Sequence, residues 1–226
     1  MGCTLNRKSD QAPEELLISQ TISSFSFGIY SSINLVNNFY PAVVFHQVSF
    51  KVIKKVIPSL TFTESSKDFL KDLTQKHPCS SKKFKTLLAL LSNSTALDKV
   101  LYIFDIFAED SLETLLVWEA ELMISQILQI TLQYIPEYVL KINKNCLIYE
   151  DFKNYCIKLS LFNNFLLKIF TKKLFQGKKE IGKQEFVYRV ISSKKLVMLV
   201  NGENLRTYCI DFFIENLIVL KDELVT

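Results

Sequence analysis

Residues 99–124, KVLYIFDIFAEDSLETLLVWEAELMI, decide how the rest of the chain is read. Val100, Ile103, Phe104 and Phe107 recur at helical spacing. The polar, acidic segment AEDSLET follows, and Leu115, Glu119 and Leu122 then lead into a second apolar-periodic run. The pattern is a helix, an acidic loop and a returning helix.

Twelve residues of this stretch resemble the loop of an EF-hand. In that motif, oxygens from alternate loop positions surround a calcium ion and a bidentate glutamate closes the shell at the twelfth. With Ala108 as first, Asp110 is third, Thr114 seventh (where a backbone carbonyl suffices), Leu115 eighth and Glu119 twelfth. Ala108, Leu112 and Leu116 stand where oxygen ligands belong. Glu113 occupies the place of the glycine that permits the sharp turn. Asp110, Thr114 and Glu119 are therefore candidate ligands of a weak calcium site at residues 108–119, and no cofactor or tightly held metal is expected.

The rhythm of helix, loop and helix extends to both sides. Residues 16–50 carry no charge but are interrupted by Ser, Asn and Pro41, so they lack the 20 continuous apolar residues of a membrane span. They read as helices with a break around 37–41, followed by a helix through Phe50, Val52, Ile53, Val56 and Ile57. Residues 64–73 and 84–91 read as helices around the loop QKHPCSSKK, in which Lys76 and Lys83 oppose any divalent cation. Pro136 forces a break or a fresh helix start, and KINKNCLIYEDF (141–152) gives a fourth hand, with Leu147 eighth and Asp151 twelfth. The run LLSNSTALDK (90–99), ahead of the central hand, resembles the linker of the recoverin and calcineurin B-like superfamily. In the last segment FQGKKEIGKQE reads as a Gly- and Lys-rich linker, VYRVI and KLVMLV as strands or short helices, and residues 205–220 as a helix.

The amino terminus MGCTL resembles that of dually acylated proteins such as inhibitory G-protein alpha subunits. Gly2 is the position for myristate and Cys3 the position for palmitate, and two chains hold a protein on a bilayer where one gives only reversible contact. The expected fold is thus mainly α, with paired EF-hand-like units at 13–94 and 95–160. A flexible acylated segment (1–12) precedes them. A basic linker and C-terminal extension (161–226) follows, either α or containing a short β-hairpin.

Composition narrows function. Hydrophobic residues make up 49% of the 226, enough for a buried core, and the net charge of +4 is unevenly placed. Residues 105–121 carry six acids and no base, whereas 168–195 carry nine bases against Glu180 and Glu185. The five cysteines and two histidines lack metal-ligand spacing, and no phosphate-cradling glycine loop or nucleophile elbow occurs, so neither an enzyme nor a nucleic-acid binder is expected. The resemblance implies a lipid-anchored interaction or adaptor protein on the cytoplasmic face of a membrane. It would bind an amphipathic helix of a protein partner in an apolar groove, largely independently of calcium. The alternative is a calcium sensor that binds the ion weakly through residues 108–119.

Overall fold

Pro13 opens α1 (Pro13–Ser24), where its missing N–H is harmless because first-turn amides have no intrahelical acceptor. The computed structural model describes residues 12–25, 27, 48–51, 53, 63–76, 79–108 and 113–225, with side chains as far as 215. Gly2, Cys3, Asp110 and the expected break at 37–41 lie outside the described residues. Of the helix expected through Phe50, residues 50, 51 and 53 are described and helical.

Helices α2 (Glu64–Lys76) and α3 (Ser81–Leu91) follow, the second started by Ser80, whose Oγ accepts the Lys83 N–H at 3.1 Å. The polar run 92–95 then stops one helix and starts the next. Ser92 Oγ donates to the Ala89 carbonyl at 2.8 Å, and Thr95 Oγ1 accepts the Asp98 N–H at 3.2 Å to cap α4 (Ala96–Phe107). Lys99 reaches back from α4 to donate to the Leu90 carbonyl at 2.8 Å, and its burial there lowers its pKa.

After the three-residue strand β1 (Thr114–Leu116), the chain forms one rod from 117 to 142. It consists of α5 (Val117–Leu128), a π-helical stretch (Gln129–Tyr134) and α6 (Ile135–Ile142). Pro136 stands in the first turn of α6, a fresh helix start that leaves the rod unbroken. It lacks the N–H that would bond four residues back, and the helix accommodates it by widening, so that the Ile135 N–H bonds the Ile130 carbonyl five residues behind.

The remainder is α7 (Tyr149–Leu161), α8 (Asn163–Phe175), β2 (Glu180–Gly182), α9 (Lys183–Ser192), a 3-10 turn (Leu196–Val200) and α10 (Gly202–Val225). The molecule is mainly helical, with one two-stranded sheet among the described residues. The segments VYRVI and KLVMLV, open in sequence between strand and helix, are helical here. Phe186 and Val190 lie four apart and bury the same face of α9, a helical rather than an alternating arrangement. No helix among the described residues is long and apolar enough to cross a membrane.

Around the sheet, α5 packs on α8 and α4 on α9, the latter pair joined by the Phe104 and Phe186 rings at 5.2 Å between centroids. On the far side, Phe25 of the α1 end stacks on Phe69 of α2 at 4.6 Å, and Tyr138 of α6 meets Phe69 edge-on at 5.0 Å. Burial of these rings is the main attraction holding the layers together.

One ionic cluster lies inside this apolar packing. Arg206 of α10 donates through Nε and Nη2 to the two oxygens of Glu15 in α1, both at 2.7 Å, and the Tyr155 hydroxyl of α7 donates to the same carboxylate. Glu15 is 4% exposed and Arg206 2%. Burial and the Glu15 charge push the Tyr155 hydroxyl far above its ordinary pKa, so it stays a donor. The cluster staples the first described helix to the last. Arg206→Met, which strands the carboxylate, is expected to cost about 3–5 kcal/mol in urea unfolding, whereas the double change Glu15→Leu with Arg206→Leu restores most of that stability. A single substitution without measurable cost would contradict the cluster's role.

Candidate functional site

Two helix–loop–helix units, α4 to α5 and α8 to α9, meet through their loops. Strands β1 and β2 run antiparallel in the register Thr114 to Gly182, Leu115 to Ile181 and Leu116 to Glu180. The Lys183 N–H donates to the Glu113 carbonyl at 3.0 Å and the Val117 N–H to the Lys179 carbonyl at 3.2 Å, extending the ladder on either side. Since bonded and non-bonded pairs alternate in such a ladder, Leu115 and Ile181 form its central bonded pair. Both side chains are buried, at 0% and 1% exposed.

A paired unit within 95–160 would set Leu115 against Leu147, the eighth residue of the 141–152 segment. That segment instead turns between α6 and α7, and Leu147 is fully exposed. The segment read as a Gly- and Lys-rich linker supplies the partner strand, so the pairing crosses the boundary drawn at 160. The overlooked signal is spacing: Ile181 and Glu185 stand 66 positions after Leu115 and Glu119, as Ile169 and Phe170 do after Ile103 and Phe104. Both exit helices accordingly begin two residues after the paired apolar residue.

The candidate ligands have different fates. Thr114 lies in β1, half-buried. Glu119, 2% exposed, accepts the Leu116 N–H at 2.9 Å and so caps the first turn of α5 from within. Its counterpart Glu185 binds cationic side chains. Lys178 Nζ donates to both of its oxygens, at 2.7 and 2.9 Å, and Arg189 Nη2 donates to one of them at 2.5 Å. The hydrogen bond from Lys178, then the nearby Arg189 charge, hold the Glu185 carboxyl below the usual glutamate range.

An ammonium ion bound through both carboxylate oxygens occupies the position a bidentate carboxylate would give a metal. The second loop does not fit a divalent cation: a dication placed there would face Lys178 and Arg189 across a few ångströms. The backbone differs from an ion-wrapping loop as well. Helix α8 runs on to Phe175, and the chain reverses at Gln176 and Gly177, both with positive φ (51° and 89°). Among the described residues no group of three His, Cys, Asp or Glu side chains is gathered to hold a metal.

Beside the paired loops, α4 and α9 enclose an apolar groove of about 620 Å³ lined by Leu97, Leu101, Val187, Tyr188 and Ile191, with Lys183 at one end. Leu97, Tyr188 and Ile191 are 47%, 73% and 40% exposed, so the groove presents apolar surface to solvent. Lys183 also donates to Asp105 of α4 at 2.5 Å, tying the groove's two walls together. Three thiols make poor nucleophiles: burial raises Cys79 to about 11 and Cys156 and Cys209 to about 12.

Comparison with protein-family models, curated proteins and solved structures returns no match. The geometry alone therefore carries the functional argument. A direct check is the titration of Glu185 by NMR, which is expected to have its midpoint below the ordinary glutamate value of about 4.3. Because the folded-state pKa is depressed, the ion pair's stabilisation is present above the unfolded value and is lost as pH falls through the folded one. In Lys178→Met the midpoint should rise toward the ordinary value. An unchanged titration would show that Lys178 does not hold the carboxylate.

Proposed function

We propose that this chain is an EF-hand-like interaction protein whose paired loops are held together by protein groups rather than by calcium, and whose groove between α4 and α9 receives an amphipathic helix of a partner. The observation that carries the reading is the antiparallel Leu115–Ile181 pair, with a glutamate four residues beyond each member. One glutamate is committed to a backbone N–H and the other to Lys178 and Arg189. The apolar lining of the groove supports a helical partner because two facing helices leave a furrow that a third can fill with side chains at i, i+3, i+4 and i+7.

Myristate on Gly2 and palmitate on Cys3 would place the module on the cytoplasmic face of a membrane, concentrating it near membrane partners. The support is the sequence MGC together with the small affinity of a single acyl chain. Gly2→Ala should release the protein from the membrane fraction of cells, and Cys3→Ser should leave myristate in place but most of the protein soluble. Retention of both variants would refute the acyl anchor.

Trp118 reports on the calcium question. It sits in the first turn of α5, 57% exposed and next to Glu119. In the full chain, its emission should be the same in millimolar calcium and in chelator. A saturable calcium response abolished by Glu119→Gln would instead establish residues 108–119 as a sensor loop.

A further inference from the structure

Next to the groove, α9 borders a second concavity, of about 550 Å³, lined among others by Lys173, Gln176, Arg189 and Lys194. Tyr188 and Ser192 line both concavities, so the apolar groove and the basic pocket share a wall made by one helix. Arg189 is already engaged, by Glu185 and by the Leu174 carbonyl. Lys173 and Lys194 are exposed and have no acidic partner among the described residues. Nearby Lys195 turns away, its ammonium lying 5.4 Å from the centre of the Tyr208 ring. The one carboxylate in the pocket, Glu185, is saturated by Lys178 and Arg189, so the pocket's unanswered charge is positive.

Resting on the proposed helix-binding groove, we infer that its partner is an acidic amphipathic helix, whose apolar face lies against Leu97, Leu101, Val187 and Ile191 and whose carboxylates pass over Tyr188 to Lys173 and Lys194. The charge complementarity selects the occupant. A basic helix would bring like charges to two unpaired lysines, and a neutral one would leave them uncompensated at the edge of a desolvated contact. A flat anionic bilayer fits less well, because Lys173 and Lys194 line a concave pocket and the apolar side chains line a groove between two helices rather than a single flat face. Tyr188 is the hinge of the arrangement: mostly exposed, it can bury its ring against the partner's apolar face while its hydroxyl stays toward the polar side.

The test uses the full chain and two fluorescein-labelled fifteen-residue helical peptides. Both carry leucines at i, i+3, i+4 and i+7; one has three glutamates in its last two turns and the other has three lysines. Fluorescence anisotropy is expected to show the acidic peptide binding about tenfold or more tightly than the basic one, with the preference shrinking as salt is raised. Lys173→Glu with Lys194→Glu, both at exposed positions, should invert the preference. Tyr188→Ala should weaken both peptides, with an unchanged circular dichroism spectrum. Equal binding of the two peptides, unaffected by charge reversal, would overturn the acidic partner while leaving the groove standing. Binding of neither would overturn the groove as well. Binding to phosphatidylserine vesicles that is lost on charge reversal, with no peptide preference, would assign the lysines to lipid and overturn the proposal.

Discussion

The structure depends on one constraint: the backbone groups of two loop segments, each centred on a buried apolar residue, must find partners, and here they find each other. Leu115 and Ile181 are apolar and inaccessible to solvent, so the N–H and C=O groups beside them lose water when the core forms. Three residues of antiparallel pairing, extended by the bonds at Lys183 and Val117, satisfy those groups and fix the distance between the two helix pairs. On either side of the ladder α5 packs on α8 and α4 on α9, and the groove lies between the latter pair.

In a loop built around calcium, the ion performs much of this positioning, and its removal loosens the exit helix. Here the same positions are served by groups that the chain always carries. Glu119 caps α5 directly, and Lys178 and Arg189 neutralise Glu185, so each carboxylate has a partner within the protein. A lysine is a permanent ligand at physiological pH. Under the proposed function, the groove is set on folding rather than opened by a signal.

Much of the first unit was legible in sequence because its information is local. Helical periodicity from Val100 to Phe107, the polar stop and start at 92–95, and the apolar residue at Leu115 each depend on neighbours within a few positions. The second unit was hidden by composition: lysines and glycines in FQGKKEIGKQE read as a linker, although Ile181 and Glu185 repeat the Leu115 and Glu119 spacing. Its lysines became informative only once Lys178 was seen against Glu185, a contact made by a loop reversal that residue type alone does not specify. Pro136 was legible as a fresh helix start, since α6 begins at Ile135 with the proline in its first turn, but the π-helical stretch that joins α5 to α6 was not. The staple of Glu15 and Arg206 joins opposite ends of the chain, and no local pattern announces it.

Amide hydrogen exchange at Leu115 and Ile181, followed by NMR in calcium and in chelator, tests the central claim most directly. If protein groups alone hold the loops together, both amides exchange slowly and at the same rate in the two conditions, since a bonded pair whose side chains are buried in the core opens only with that core. Exchange at the rate of an unstructured loop in chelator, slowing on addition of calcium, would contradict the account and return control of the pairing to the ion.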